Sequence, residues 1–240
     1  MLGDDSILNE RVLAALPIFP LPNVVLLPGM VLPLNVFEPR YLELVDHVLD
    51  NGRHIGVPLL RPGFEADHQG RPSIEPVFGL GKLVSHERFH DGRRFIRLEG
   101  VGRVRMLEEL PSRTKYREVS VEMLPEHEPS DWDALEVLKA QVERVAHMFE
   151  DEDEEMVRCV LGLPDRRIMV YAITAIIPNV EVISNRDVMM EHGRCPQVDF
   201  QQRCLAAPDP DTRIRLLLSR AAQIVDQLGE SGRYSRVMLN

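Results

Sequence analysis

The sequence predicts an α+β protein in which a β-rich half with one early helix precedes an all-helical half. Two patterns carry this prediction. From residue 16 to residue 41 the chain is mostly apolar, but prolines interrupt it so often that it can form neither a long helix nor a central strand. From residue 135 onward, apolar residues recur at spacings of three and four, which is typical of helices.

The opening stretch reads LPIFPLPNVVLLPGMVLPLNVFEPRY. We expect two short strands in it, Val24 to Leu27 and Met30 to Val36, joined by a turn at Pro28-Gly29. Pro39 suits a first helical turn, and apolar residues at positions 41, 42, 45, 48 and 49 predict a helix that Gly52 ends.

The rest of the first half has the pattern of strands and turns. A buried strand is expected from His54 to Leu60, and a long loop from Arg61 to Ser73. A strand from Val77 to His90 and a turn at Asp91-Gly92 indicate a hairpin. The remaining predicted β positions are 95, 96 and 98 on the return strand, 104, 106 and 107 after a glycine break at 100–102, and 119, 121 and 123 on a half-exposed strand.

The second half begins with Ser130-Asp131-Trp132-Asp133, which has the form of a capping box. An apolar helical stripe follows at positions 135, 138, 142, 145 and 149. The six acidic residues 150–155 cannot pack and are a solvated helix end, a loop or a disordered link. Three further helices are predicted: Arg166 to Ile177, Phe200 to Ala207 with Asp199 as N-cap, and Thr212 to Leu228, whose positions 214, 217, 218, 221, 225 and 228 face inward.

The net charge of −10 is unevenly distributed along the 240 residues. Residues 126–155 hold twelve acidic and two basic side chains, whereas residues 79–117 hold ten basic and five acidic ones. These runs are either two solvated faces or, in the second case, a basic β surface that attracts an acidic partner.

The apolar segments and the cysteines of the sequence indicate the cellular compartment. The apolar run 24–34 is too short and too interrupted by prolines to span a bilayer, and the first fifteen residues lack the pattern of a signal peptide. Three cysteines, at 159, 195 and 204, form no C-x-x-C pair, and we expect them to be small buried side chains. A reducing, cytoplasmic setting and no membrane association are therefore expected.

The segment from His86 to His90 matches H-E-x-x-H, a zinc-binding motif of metalloproteases. That motif needs a helix, on which the two histidines are about 6 Å apart along the axis. Here Asp91-Gly92 follows at once, and on a strand the two histidines are about 13 Å apart, too far to share an ion. We expect a hairpin arm here and no metal. The sequence also lacks G-x-x-x-x-G-K-[ST] and G-x-S-x-G, so no catalytic residues and no cofactor are predicted.

The ordered string LPIFPLPNVVLLPG, then LPL and FEPRY, resembles the N-terminal substrate-recognition domain of Lon proteases. A strand that ends in EG and the helical string FQQRCLAAPDPDTRIRLLLSRAAQIVDQL also resemble that domain. The likeness is greatest to free-standing bacterial proteins that contain this domain and little else; cereblon has a similar one. It extends from residue 16 to residue 228 and implies a PUA-like β-pseudobarrel followed by a helical bundle.

The expected organisation is an N-terminal extension (1–15), a β-rich subdomain (16–125), a helical subdomain (126–229) and a tail (230–240). Within the helical subdomain, residues 180–197 are longer than the family's connection.

The resemblance implies a non-catalytic module that captures unfolded or degron-bearing protein segments, as part of quality control or as an adaptor. A separate Lon ATPase is a further partner that it suggests. The predicted contact residues are Phe37, Arg40, Tyr41, Phe64 and Phe89, chosen mainly as aromatic side chains near loops that we expect to be exposed. Arg40 and Glu38 also have a structural interpretation, in which they pair or serve the helix that starts at Pro39.

The alternative function is RNA binding through the basic β surface 88–117, where five arginines cluster at 93, 94, 97, 103 and 105. The net charge of −10 and an aromatic content of 5% make a nucleic-acid partner the weaker hypothesis. The oligomeric state is not predicted.

Overall fold

A computed structural model describes residues 10–64, 70–111, 113–147, 151–177 and 195–228. It divides the chain into two compact units, Met1–Pro125 and Glu126–Asn240. The six strands belong to the first unit, and the longest helices belong to the second. The predicted α+β class is therefore confirmed. No helix in the described part of the chain is both long and apolar enough to cross a bilayer.

The first unit is a six-stranded mixed sheet that curls back on itself. The strand order is β2-β5-β4-β3-β1-β6, and β6 also pairs with β5, so that β2 alone lies outside the closed set. Among the pairings of these six strands, β1–β3 is the parallel one and the others are antiparallel. The sheet is a pseudobarrel and not a true barrel. Its elements are α1 (Glu10–Ala14), β1 (Leu16–Ile18), β2 (Val31–Val36), α2 (Pro39–Asp50), β3 (His54–Val57), β4 (Val77–Arg88), β5 (Arg94–Glu109) and β6 (Arg117–Leu124).

The predicted strand from Val24 to Leu27 is wrong, because this segment crosses the sheet without pairing. Its backbone lies directly on two glycines of the sheet. A Cβ atom added to Gly79 would lie 2.0 Å from the carbonyl oxygen of Leu26, and one added to Gly100 would lie 2.2 Å from that of Leu27. Carbonyls this close to the sheet need residues without side chains beneath them.

The predicted turn at Pro28-Gly29 is confirmed. The amide of Met30 donates to the carbonyl of Leu27 at 3.1 Å, and Gly29 has a φ of 77°. A positive φ at the third residue of a turn that has proline second is the geometry glycine favours. This turn leads the chain into β2.

Helix α2 packs its buried side chains against those of the sheet. It begins at Pro39, as predicted, and Gly52 follows its C-cap with a φ of 90°. The amide of Arg53 then donates to the carbonyl of Val48 at 2.8 Å, which satisfies one terminal carbonyl of the helix. The buried side chains of the helix and of the strands beneath it form one core: Tyr41, Leu44, Val45, Val48, Leu83, Ile96 and Leu98.

Three strand boundaries differ from the prediction. The strand that starts at His54 ends at Val57, and beyond it Leu59 and Leu60 make only isolated bridges, since Pro58 has no amide hydrogen to donate. The strand that starts at Val77 ends at Arg88 and not at His90. The glycine break at 100–102 is a β-bulge within the continuous strand β5, because Gly81 pairs with Gly100 and Leu80 with Gly102.

The second unit packs its helices around a single apolar core. The predicted stripe on the first of them is confirmed at positions 135, 138, 142 and 145, which are buried. On the last helix, positions 214, 217 and 221 are buried and 218 and 225 pack against the core, as predicted. The helices are α3 (Trp132–Ala146), α4 (Asp151–Leu161), α5 (Arg166–Ile176), α6 (Pro196–Ala206) and α7 (Pro210–Leu228).

Helix α4 has no counterpart among the predicted helices. The acidic residues 151–155 form its first turns, so of the three interpretations of this run the helix end is the one observed. Carboxylates at a helix N-terminus are stabilised by the helix dipole, which offsets their mutual repulsion. Phe149 and the segment 180–194, including Met189, Met190 and His192, lie outside the described residues.

The predicted capping box at residue 130 is wrong. The N-cap of α3 is Asp131, whose carboxylate accepts a hydrogen bond from the amide of Ala134 at 2.9 Å. Ser130 instead donates its hydroxyl to the carboxylate of Asp211.

The predicted N-cap at Asp199 is also wrong. Helix α6 begins four residues earlier than predicted, at Pro196 after Cys195, because proline at the first helical position is preorganised for the turn. Asp199 therefore lies in the first turn of that helix.

We expect the substitution Gly100→Ala to destabilise the first unit by about 2 kcal/mol or more, because the new methyl group collides with backbone that cannot rotate away. The midpoint of urea unfolding measures the change. The matched control is Gly102→Ala on the same strand, where the added Cβ meets only the mobile end of Met123, at 3.0 Å. Equal losses for the two variants would contradict the close approach of Leu27.

We expect Asp165→Asn to lower stability by about 0.5 to 1 kcal/mol at neutral pH. A hydrogen bond from Arg167 and the amide of Ile168 lower the pKa of Asp165 from 3.8. A lowered folded-state pKa stabilises above the unfolded value, and this contribution is lost as the pH falls from about 4 through the folded value. Asparagine can also cap a helix, so the variant lacks only the charge. In urea unfolding at a series of pH values, the difference in unfolding free energy between the wild type and Asp165→Asn should therefore become smaller below pH 4. If that difference stays constant with pH, the charge of Asp165 is not its cause.

Candidate functional site

The predicted contact residues at the start of α2 have different environments. Phe37 is 65% exposed, whereas Tyr41 is only 8% exposed. The Tyr41 ring meets Phe19 edge-on, with ring centroids 4.0 Å apart, and burial raises its pKa. The expectation that Tyr41 is an exposed aromatic is therefore wrong, since it belongs to the core.

Arg40 serves the structure of this corner. Its Nε donates to the carboxylate of Glu38 at 2.9 Å, and its guanidinium lies over the ring of Tyr41, 4.6 Å from the centroid. These contacts agree with the structural interpretation, in which Glu38 and Arg40 pair beside the start of the helix. The result is a fixed start for α2, and Phe37 lies immediately before it.

The other two predicted aromatics also differ from each other. Phe64 is half-buried and packs against a core of the first unit, so it is not an exposed loop aromatic as expected. Phe89 is exposed at the tip of the β4–β5 hairpin, where its amide donates to the carbonyl of Arg93 at 2.9 Å. Gly92 closes this hairpin with a φ of 89°, as the Asp91-Gly92 signal predicted.

The strand register places Phe37 and Phe89 at the same end of the sheet. Val36, the last residue of β2, pairs with Arg94, and Arg94 also pairs with Arg88, the last residue of β4. Phe37 and Phe89 are the residues that follow these two strand ends. Two exposed aromatics therefore flank one end of three neighbouring strands.

Two further apolar side chains, Val31 on β2 and Val84 on β4, are exposed and were not predicted to be so. Val31 begins β2 and is 56% exposed. The sequence signal for it is the period of a strand, which puts Val31 on the same face as Pro33 and Asn35. Val84 lies at a register shift between Leu83 and Ser85, which no local pattern announces.

The five clustered arginines do not form one basic face. Arg103 is buried, and Arg94 binds the carboxylate of Asp46. Arg93 pairs with Asp91 at 2.7 Å, and Arg105 pairs with Glu122 at 3.1 Å. Of the five, only Arg97 is exposed without a carboxylate partner among the described residues. The other four are committed to the fold or to neighbouring acids.

The H-E-x-x-H segment lies on β4 and in the hairpin turn, as predicted. His86 is a strand residue and His90 belongs to the turn, so the helical spacing that lets two imidazoles share an ion is absent. Within the ranges that the structure describes, no three His, Cys, Asp or Glu side chains are placed to hold a metal ion.

The cysteines only partly match the expectation that all three are buried. Cys204 is buried, and this burial raises the pKa of its thiol to about 11, so it is unreactive. Cys159, however, is exposed on α4, and Cys195 is half-buried.

The second unit has an open depression of about 540 Å³ lined by residues 130–133. Trp132, which was not among the predicted contact residues, is 47% exposed there. The guanidinium of Arg166 lies 4.1 Å from its ring centroid. Asp131 caps its own helix and Ser130 is bound to Asp211, so these polar groups are already engaged within the unit.

By its fold and its surface, the chain is an α+β protein of two units, and its β unit exposes apolar side chains at a sheet edge and at a hairpin. The family model described as the ATP-dependent protease La (LON) substrate-binding domain matches residues 15–222. The chain belongs to this LON substrate-binding domain family.

Solved structures support the same assignment of fold. The N-terminal domain of the Mycobacterium avium complex Lon protease superposes with a TM-score of 0.63 at 15% identity and covers 87% of this chain and 98% of that one. The Lon N-terminal domain protein from Xanthomonas campestris superposes with a TM-score of 0.54 at 22% identity and covers 86% and 98%.

The curated relatives are Lon proteases that are much longer than this chain. The Lon protease of Desulfovibrio desulfuricans is 26% identical over 215 residues, which are 88% of this chain but 22% of that protein. The Lon protease of Flavobacterium johnsoniae is 25% identical over 131 residues, 55% of this chain and 16% of that protein. The chain thus spans less than a quarter of either relative.

We expect Tyr41→Ala to lower the free energy of unfolding much more than Phe37→Ala does. Removing the Tyr41 ring leaves a cavity in the core and should cost about 3 kcal/mol of unfolding free energy. Removing the Phe37 ring should change stability by less than about 0.5 kcal/mol, since that ring is mostly in solvent. Urea unfolding of both variants provides the test, and a large loss for Phe37→Ala would show that this ring packs in the fold.

Proposed function

We propose that this protein is a non-catalytic module that binds extended, apolar segments of other proteins. The observation that carries the proposal is the exposure of Phe37 and Phe89 at one end of the sheet in a member of the LON substrate-binding domain family. Large apolar side chains left in water at one end of a sheet are typical of a surface that binds a protein partner.

The five predicted contact residues have different parts in this proposal. Phe37 and Phe89 make direct contact with the bound segment. Arg40 and Tyr41 are positioning residues, because they hold the start of α2 beside Phe37. Phe64 supports the core beneath the loop.

The wider role follows from the names of the relatives and remains part of the proposal. Unfolded or degron-bearing segments are the proposed ligands, and protein quality control, as an adaptor or beside a separate Lon ATPase, is the proposed context. Three free cysteines fit the reducing, cytoplasmic setting that we infer.

RNA binding has no specific observation in its favour. Phosphate recognition needs a continuous set of uncommitted cations, and four of the five clustered arginines are buried or paired.

A permanently denatured model protein, reduced and carboxymethylated and carrying a fluorescent label, is the probe for this function. We expect the wild-type chain to bind it and the double substitution Phe37→Ser, Phe89→Ser to weaken binding about tenfold or more, as loss of two apolar anchors does at protein interfaces. Fluorescence anisotropy gives the dissociation constants.

Val137→Ser is the matched control, because Val137 is 50% exposed but lies on α3 of the second unit. It should bind as the wild type does. If the double variant also binds unchanged, the aromatic pair is not the site. If the wild-type chain fails to bind, or hydrolyses the probe unaided, the proposed function itself is wrong.

A further inference from the structure

Strand β2 is an edge strand with one free side. It pairs with β5 along its whole length, from Val31 opposite Glu99 to Val36 opposite Arg94, and with no other strand in the described part of the chain. An unpaired edge presents a row of backbone donors and acceptors to which another extended chain can pair.

The position of Pro33 shows which backbone groups of β2 face outward. In an antiparallel pair, hydrogen-bonded and non-hydrogen-bonded residue pairs alternate. Pro33 lies opposite Arg97 and has no amide hydrogen, so it occupies a non-hydrogen-bonded pair. The odd-numbered residues therefore direct their backbone groups away from β5, and the even-numbered ones direct theirs toward it.

A second observation agrees with this assignment. The carbonyl of Met30, an even-numbered residue just before the strand, accepts from the amide of Gly100 on β5 at 2.8 Å. The outward groups are thus the amides of Val31 and Asn35 and the carbonyls of Val31, Pro33 and Asn35. None of these three residues hydrogen-bonds elsewhere within the described residues.

The side chains at the same positions leave this edge open and partly apolar. Val31, Pro33 and Asn35 are all exposed, and the next odd-numbered residue is Phe37, the most exposed of the large apolar side chains that the structure describes. Apolar anchors therefore lie at the two ends of the edge, six residues apart, with small or polar residues between them.

The charge at the centre of the edge is positive. Arg97 is opposite Pro33 on the neighbouring strand, is exposed, and has no carboxylate partner among the described residues. Pro33 carries no long side chain that would screen Arg97 from a chain added beyond it. A carboxylate opposite Pro33 would thus be favoured over an ammonium group there.

We propose that an extended peptide segment binds by adding to β2 as a further strand. Its apolar residues lie opposite Val31 and Phe37, and its acidic residue lies opposite Pro33. This inference rests on the proposed function and deepens it, because it specifies how the bound segment is held and which segments are preferred. Main-chain hydrogen bonds supply affinity without sequence demands, and the two anchors and Arg97 supply the preference.

The first test uses the peptide Leu-Thr-Glu-Thr-Glu-Thr-Leu, which is palindromic, so either orientation places a glutamate opposite Pro33. Amide hydrogen exchange of the isotopically labelled wild-type protein is followed by NMR. When the protein is saturated with the peptide, exchange of the Val31 and Asn35 amides should slow about tenfold or more. The even-numbered amides of β2 should change little, since they are already paired with β5.

Two further measurements isolate the backbone contribution. N-methylation of one alternate set of peptide residues should weaken binding at least tenfold, whereas N-methylation of the other set should leave it within twofold. Asn35→Pro should also weaken binding at least tenfold, whereas Asn35→Ala, which keeps the amide hydrogen, should bind as the wild type does. Urea unfolding checks both variants; if Asn35→Pro does not fold, the N-methyl series on the wild type decides.

Replacing both glutamates of the peptide by lysine should weaken its binding to the wild-type protein at least threefold. The same replacement should weaken binding to the Arg97→Gln variant by a smaller factor. Peptide binding without slowed exchange at Val31 and Asn35, or with no alternation in the N-methyl series, would overturn the edge-strand proposal and leave the proposed function standing. Failure of the denatured model protein to bind at all would instead remove the proposed function, and this inference with it.

Discussion

The β unit depends on one close approach, in which the carbonyls of Leu26 and Leu27 lie directly on Gly79 and Gly100. A side chain at either glycine would displace the crossing segment from the sheet. Because the segment is held there, Gly100 accepts from the amide of Gly29 at 2.7 Å and donates to the carbonyl of Met30 at 2.8 Å. These two bonds fix where β2 begins and therefore the register of every pair it makes with β5.

The exposed edge is a consequence of that register. The even-numbered side chains of β2 face α2 and the core, and the odd-numbered ones are left outside. A free edge is a hazard for aggregation, and Pro33 at its centre is a common protection, since it removes one donor. The proposed addition of a short segment with a matching pattern is compatible with this protection, because a strand that lacks a central donor is still a poor template for indefinite pairing with copies of itself.

Local sequence signals predicted the helices and turns. The features that were predicted wrongly depend on contacts between residues far apart in the sequence. The Pro39 start, the Gly52 end and the Asp91-Gly92 turn depend on backbone preferences of the residues themselves. Residues 24–27 were misassigned because a short apolar run looks the same as a strand or as a crossing segment, and the glycines that decide it are on other strands. At the site, Phe37 was recognisable beside a helix start, whereas Tyr41 has the helical spacing of the core, which should have outweighed its proximity to a loop.

The distribution of charge limits what such a surface can select. Most of the arginines near the hairpin are buried or paired with neighbouring acids. In the proposed mode of binding, long-range attraction would therefore contribute little and association would rely on contact. Backbone groups recognise any extended chain, and two separated apolar anchors demand little of the sequence between them. A folded partner has already used both its backbone groups and its apolar residues internally. In the proposed mode of binding, the same surface would therefore distinguish unfolded from folded segments before it distinguished one sequence from another.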